Sequence, residues 1–466
     1  MNHNKIILIA LLIASAMQQS QAQKYYAISI KDAVQLAFTN VVSLKNLEID
    51  NKIQAQVNKQ IESAAYPQLT GSANISKYLA LPQFLFPDAT ATAVYEVLKS
   101  EGVRDGSGNP ITKQIPVAFR QVTFQQPWNA NAGVTLNQLL FQPDVFVGLQ
   151  ARAIALQFTA KNVDVEKEKV REQAYKQYYA VLIAEQQLAF IKQGITRLQK
   201  LKNDVAELYK QGFREKLDID KVDVPLNNLK TSQNLLENAI LLNYSGLKFA
   251  LGINQKDTLK LTDIIDAQTL KTALPNDAEF DYNNRKEIQL LSTARQLQLL
   301  DLKRQKLSNL PTLAAFVNYQ AQGQGQNFIT DRSTFWLRTS LVGMQLNVPI
   351  FSGFSRRYKI NESQLKLSKI DNSISQLKQV IDLEQSINKN AFKNALLNVD
   401  IQDRNMQLAN TIYNTTKKKY EQGLASSFEV LQDQTAITDA ESKYFDALYQ
   451  AIIAKVSYAK ALGTLE

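Results

Sequence analysis

The chain has 466 residues, 53 lysines and arginines against 43 aspartates and glutamates, a net charge of +10, one histidine and no cysteine. The missing thiols and near-absent imidazole exclude disulfides, thiolate or imidazole metal sites, and Cys/His or Ser/His nucleophilic dyads. The charges are interspersed, the pattern of solvated helix faces rather than of a groove that binds nucleic acid, and no nucleic acid, metal or cofactor is expected.

Residues 1–22 read MNHNKIILIALLIASAMQQSQA, with Lys5 ahead of an apolar run from Ile6 to Ala16 and small residues at Ser20 and Ala22. The run is about half the roughly 20 residues that a spanning helix needs. These features predict a secretory signal cleaved after Ala22, which would carry the single histidine, His3, away with it. No cysteine follows for lipid attachment.

Beyond the leader the chain is written twice. Gly133–Gly252 matches Gly343–Gly463 at an offset of 210 to 211 residues, with GVTLNQLLF over GMQLNVPIF and YKQGFREKLDI over YEQGLASSFEV. ESAAYPQL (62–69) matches KLSNLPTL (306–313) at an offset of 244, so the first repeat carries 34 extra residues, within Leu81–Asn129. Repeat one is assigned to residues 23–252, an equatorial collar to 253–283 and repeat two to 284–466.

In chain order, each repeat predicts a helix, a strand, a loop, a strand, a very long helix, a tight turn and a returning helix. Repeat one has strands over about 68–80 and 130–141 around an external loop at 81–129. Its long helix covers about 143–211 and its returning helix about 217–251. Repeat two has strands at about 312–322 and 338–350, a long helix at about 354–421 and a returning helix at about 428–462. The strand assignments rest on period-two alternation. Val342, Met344, Leu346, Val348 and Ile350 oppose Gly343, Gln345 and Asn347; Leu313, Ala315, Val317 and Tyr319 oppose Ala314, Phe316, Asn318 and Gln320. Val134, Leu136 and Leu140 alternate with Thr135 and Asn137, and Leu69, Ala73 and Ile75 with Thr70, Ser72, Asn74 and Ser76. Strands of about ten residues, apolar on one side and polar on the other, suit a tilted membrane barrel. The long helices, at 1.5 Å per residue, reach about 100 Å. Leu367, Ile370, Ile374, Leu377 and Ile381 step by three and four, the seam of a left-handed coiled coil.

Four strands leave two open edges, and unpaired backbone groups in lipid cost several kcal/mol each. The barrel must therefore close between chains. Eight strands would fill with side chains, and twelve leave a lumen. Trp128 and Trp336, at the loop edges, suit an interfacial girdle. GQGQ (323–326) lacks the strand-to-helix context and the following Lys of a phosphate loop.

Gly212 and Gly423 end the long helices, where positive φ is wanted. Each is followed six positions later by an acid, Asp218 and Glu429, at a helix start that favours a carboxylate. Turn formation and capping account for all four residues without any further role. The duplicated element order, the Tyr-x-x-Gly turns at Tyr209 and Tyr420 with their following acids, and the terminal ALG resemble the outer-membrane efflux protein family of TolC, over essentially all of the chain beyond the leader. The resemblance implies a mainly α chain with a membrane β-barrel, a homotrimer twelve-stranded in the outer membrane, and a helical tunnel in the periplasm. It also implies docking to a periplasmic adaptor and an inner-membrane transporter, and no enzymatic activity. Carried over residue by residue, Glu429 would form a ring carboxylate of the periplasmic gate, and Tyr420 would hydrogen-bond Asp218. The family's second ring acid and basic link are replaced by Gln432 and Ala425, and Asp433 lies about 100° out of phase, so a differently wired gate is expected. Phe213, Leu424 and Phe428, apolar at or beside the turns, are the candidate adaptor-docking residues. Lys417, Lys418 and Lys419 suit a helix C-terminus as well as a docking surface.

The expected function is the outer-membrane exit channel of a tripartite efflux system passing small molecules. The alternatives are the outer-membrane component of type I protein secretion and, in another class, a periplasmic coiled-coil adaptor without a pore. A carboxylate-only hydrolase has no paired acids in a cleft context to support it.

Overall fold

Where the alternating pattern gives way to a 3.6-residue one, the backbone passes from strand to helix, and it does so twice. A computed structural model describes residues 24–112, 116–265, 270, 280–327 and 335–465. The expected leader, parts of the collar and the tip of the second strand-to-strand loop lie outside those residues. The first half runs β1 (Tyr25–Ile28), α1 (Ile30–Asn40), α2 (Val42–Ser63), β2 (Gln68–Lys77), β3 (Phe84–Asp88), α3 (Thr90–Ser100), β4 (Ala118–Val122), β5 (Trp128–Phe141), α4 (Pro143–Lys210) and α5 (Lys216–Ala250). After β6 (Thr258–Leu261) and a 3₁₀ turn (Tyr282–Asn284), the second half runs α6 (Lys286–Leu307), β7 (Thr312–Gly325), β8 (Phe335–Asn347), α7 (Ser355–Glu421) and α8 (Ser427–Leu462).

The chain divides into two units, one of residues 58–150 and 302–360, the other of 1–57, 151–301 and 361–466. The first holds an antiparallel sheet in the order β2-β5-β7-β8. Cross-strand partners share a face, so the register sorts every strand residue. Two features depart from the sequence reading. A bulge between Leu139 and Phe141 leaves Leu140 as the extra residue, and Phe141, paired with Leu313, takes the place expected for Leu140. β8 ends at Asn347, before Val348 and Ile350, because Pro349 has no N–H to donate to a ladder. The first long loop is also not plain. β3 and β4 pair as an antiparallel ribbon, Phe124 lies 6.0 Å from the rings of both Phe84 and Phe86, and Asp88 accepts from the backbone and hydroxyl of Thr90 to start α3.

The second unit is helical. Along α7, Leu367, Ile370, Ile374 and Leu377 are half-buried and Ile381 fully buried, and the seam continues through buried Phe392, Val399 and Tyr413. One core cluster joins Leu198, Leu201 and Val205 of α4, Val222, Leu226 and Leu229 of α5, and Val430, Leu431 and Ile437 of α8. In another, Tyr178 is completely buried and donates to the carbonyl of Ile28 and the carboxylate of Asp263. That carboxylate also accepts from the Ile30 backbone at the start of α1, 2.8 Å away. In this way the collar segment ties down the first helix, beside the parallel β1–β6 pair.

Each repeat closes at a glycine. Gly252 and Gly463 have φ of 64° and 71°. A Cβ at Gly252 would stand 2.8 Å from the backbone of Asn40, and one at Gly463 2.9 Å from that of Asn284. Asn40 and Asn284 each lie two residues before an incoming helix, α2 and α6.

Candidate functional site

The strand register separates two faces. On one lie Leu69, Ala73 and Ile75 of β2, Ala132, Val134 and Leu136 of β5, Leu313, Ala315, Val317 and Tyr319 of β7, and Val342, Met344 and Leu346 of β8. On the other lie Thr70, Ser72 and Asn74, then Asn131, Thr135 and Asn137, then Asn318, Gln320 and Gln322, then Thr339 and Gln345. The apolar face is bare: Val342 is 75% and Met344 73% exposed. A water-soluble sheet buries such a face, whereas a membrane barrel turns it to lipid and its polar face to a lumen. Trp128 and Trp336 both fall on the apolar face, near one end of the strands. Lys77 lies 5.3 Å over the Trp128 ring, and Trp336 lies over Gly323, where a Cβ would come within 2.9 Å of the indole. At the other end, Phe141 meets Phe146 at 6.0 Å and Phe351 meets Phe354 at 5.5 Å. Aromatics bound the apolar band above and below, as at two membrane interfaces. GQG of the GQGQ segment is simply the end of β7. The outer edges of β2 and β8 have no strand partner among the described residues.

The turns at the far ends of the long helices are built alike. Gly212 and Gly423 have φ of 77° and 78°. Each donates to the carbonyl of the tyrosine three residues back, Tyr209 or Tyr420, at 2.9 Å. Phe213 donates to Leu208 and Leu424 to Lys419. This pair of bonds is the Schellman motif, which favours an apolar residue just after the glycine. The motif accounts for the residue type at Phe213 and Leu424, yet both side chains stay open, each 75% exposed, as does Phe428.

The two acids differ. Glu429 sits in a capping box: its backbone N–H donates to Ser426 Oγ and its carboxylate accepts from the Ser426 N–H, both at 3.2 Å. Asp218 has no such partner at Glu215, which caps α5 without a side-chain bond, and stands 3.9 Å from Lys221. The hydrogen bond expected from Tyr420 to Asp218 is not made. The Tyr420 hydroxyl is buried with no partner among the described residues, and burial raises its pKa above the ordinary phenol value, opposed by Arg214 and reinforced by Asp204 and Asp218.

Sequence reasoning misses one of the polar ties between α4 and α8. Arg197 Nε donates to Gln434 Oε1 at 2.7 Å and Arg197 Nη2 to Glu441 at 3.3 Å, with the guanidinium over the Tyr413 ring. Gln434 is almost wholly buried. Burial pushes the Glu441 carboxyl above its usual range, against the pull of Arg197. Gly194 leaves room here, since a Cβ would meet Leu229 at 3.2 Å and Gln434 at 3.5 Å. Two positions from Gln432, Gln434 carries no mark in the sequence that separates it from a solvated amide.

Residues 284–464 match the family model described as Outer membrane efflux protein. No curated protein sequence matches the chain. Solved structures that resemble it include the channel CusC, at 13% identity over 96% of this chain and 95% of that one with a TM-score of 0.70. The outer membrane protein VceC of Vibrio cholerae resembles it at 11% over 94% and 97%, TM-score 0.66, and the outer membrane channel CmeC of Campylobacter jejuni at 14% over 94% and 86%, TM-score 0.67. The chain has the TolC-like fold, with very long helices and a four-stranded sheet that does not close on itself.

Proposed function

We propose that this chain, which carries the outer membrane efflux protein domain at residues 284–464 on the fold of outer-membrane channels, is the exit duct of a tripartite efflux system. It works as a homotrimer whose barrel stands in the outer membrane and whose helices line a periplasmic tunnel. The observation that carries the reading is the bare apolar face of a sheet with two open edges, since closure by further copies satisfies both the lipid and the backbone.

The helical unit has the same need. Leu217, Val224, Leu235, Leu242 and Phe249 form one exposed stripe along α5, and Leu383, Ile387, Leu397, Ile401, Leu408 and Ile412 another along α7. The α5 residues recur at steps of seven and eleven, and the α7 residues as pairs four apart that repeat after fourteen and eleven. Each set therefore keeps to one face of its helix, distinct from the seam that α7 buries within its own chain, and each is covered when α5 of one copy meets α7 of the next. In the outer-membrane fraction the protein is expected to migrate at trimer size until heated and to give stepwise conductance in planar bilayers. Monomer migration without conductance would overturn the reading in favour of an adaptor.

Efflux rather than protein secretion fits the family description. Deleting the gene is expected to raise retention of small toxic solutes, whereas loss of a secreted protein with normal solute export would favour type I secretion. Phe213, Leu424 and Phe428 are the docking residues for the adaptor, because an exposed apolar tip needs a partner. Photocrosslinkers there are expected to capture a co-expressed adaptor, with no adducts from Val224 on the helix stripe.

Glu429 and Asp218 serve as tip carboxylates as well as first-turn acids. Neutralising both is expected to lower cation preference in bilayers, with about 1 kcal/mol or less of stability lost from the capping box. Unchanged conductance and selectivity would leave them as caps alone.

A further inference from the structure

The wall of the proposed lumen has an unusual chemistry. In a chain with 21% charged residues, the four sheet strands contain just two ionisable side chains of the Asp, Glu, Lys and Arg types, Lys77 and Arg338. Both fall on the apolar face: Lys77 pairs with Trp128 and Arg338 with Ala321. The polar face has none. It carries Gln68, Thr70, Ser72, Asn74 and Ser76 on β2, and amides and hydroxyls recur across β5, β7 and β8. Asn318 Nδ2 donates to Thr135 Oγ1 at 2.8 Å. Gln320 stands over Gly133, where a Cβ would meet it at 2.8 Å. Apolar side chains interrupt this face at Leu139 on β5, at Phe316 on β7, whose ring lies on Gly343, and at Leu337 and Leu341 on β8.

Fixed charge biases ions within a Debye length, about 8–10 Å in physiological salt. A lining without it sets up no potential of one sign. Amides, moreover, offer a carbonyl to cations and N–H groups to anions. We propose that the strand-lined section is a charge-indifferent exit, whose amide and hydroxyl wall passes polar solutes of either charge, so that any charge selection belongs to the helical unit. The proposal rests on the channel reading.

The chain has no cysteine, so single cysteines can be introduced without background. Thr135→Cys, Asn318→Cys and Gln322→Cys place a thiol at three points of the wall, and three sites guard against one that disturbs assembly. Trimers in outer-membrane vesicles are treated from the external side with size-matched cationic and anionic methanethiosulfonates, and each rate is divided by that of a free thiol. The ratio of the two corrected rates is expected near one. A potential of about one kT would move it about sevenfold, and a departure that large at the sites that assemble would overturn the proposal. Adding Gln320→Glu to the same background is expected to favour the cationic reagent. No reaction with either reagent at positions 135 and 318, with reaction at Val342→Cys, would reverse the faces and overturn the channel reading as well. A lopsided ratio at reactive sites would overturn charge indifference alone.

Discussion

Val342→Arg is expected to abolish the assembled trimer, while Leu341→Arg, one residue away, leaves it intact. Val342 lies mid-strand in β8 on the apolar face, paired with Val317, and Leu341 pairs with Asn318 on the polar face. An arginine at the midplane of a barrel's lipid face costs about 2–4 kcal/mol. A closed trimer carries it three times, and the total of roughly 6–12 kcal/mol rivals the stability of an ordinary domain. On the polar face the guanidinium stays in water, so its expected effect is an anion preference in bilayer recordings. The measurement is the fraction of heat-modifiable trimer in the outer membrane. Equal loss for both variants would mean that the sheet has no lipid side.

That contrast is legible in the amino-acid sequence, because a strand has period two and each substitution falls on a named side. The same rule fails at Leu140. A bulge inserts one residue and resets the phase, and nothing in GVTLNQLLF marks where it falls. The ribbon in the first loop escapes sequence reading for a related reason. β3 and β4 are five residues each, too short for alternation to declare itself, and their cohesion comes from Phe84, Phe86 and Phe124 meeting in space. The β1–β6 pair is out of reach too, since its partners lie 233 positions apart and each strand has four residues. The long helices need no such contacts: an uninterrupted helix-forming composition between Pro143 or Gly353 and the tip glycines fixes their ends. At the tip, the glycines and Glu429 follow from turn and capping chemistry. The Arg197–Gln434 bond does not, because burial alone distinguishes Gln434 from the amides around it.

Gly252→Ala and Gly463→Ala are expected to be the most damaging small substitutions in the helical unit. Two costs coincide at each site. A non-glycine residue in the left-handed region costs about 1–2 kcal/mol, and forcing a methyl into a packed contact costs about 1–3 kcal/mol more. The second cost is hard to relieve here, since the nearest atoms at both sites include the backbone of an asparagine rather than only the end of a side chain. Gly212 and Gly423 have similar φ, but a methyl at either would meet nothing within 4 Å, so alanine there is expected to cost only the conformational part. Thermal unfolding of the four variants should therefore fall into two pairs, with the repeat-closing glycines the lower. The ALG match between the repeats then has a mechanical meaning. Each returning helix must end at a residue without a side chain, because the chain entering an incoming helix passes directly over it. If all four variants lost stability equally, backbone conformation alone would explain the glycines, and the close approach at Asn40 and Asn284 would carry no energetic weight.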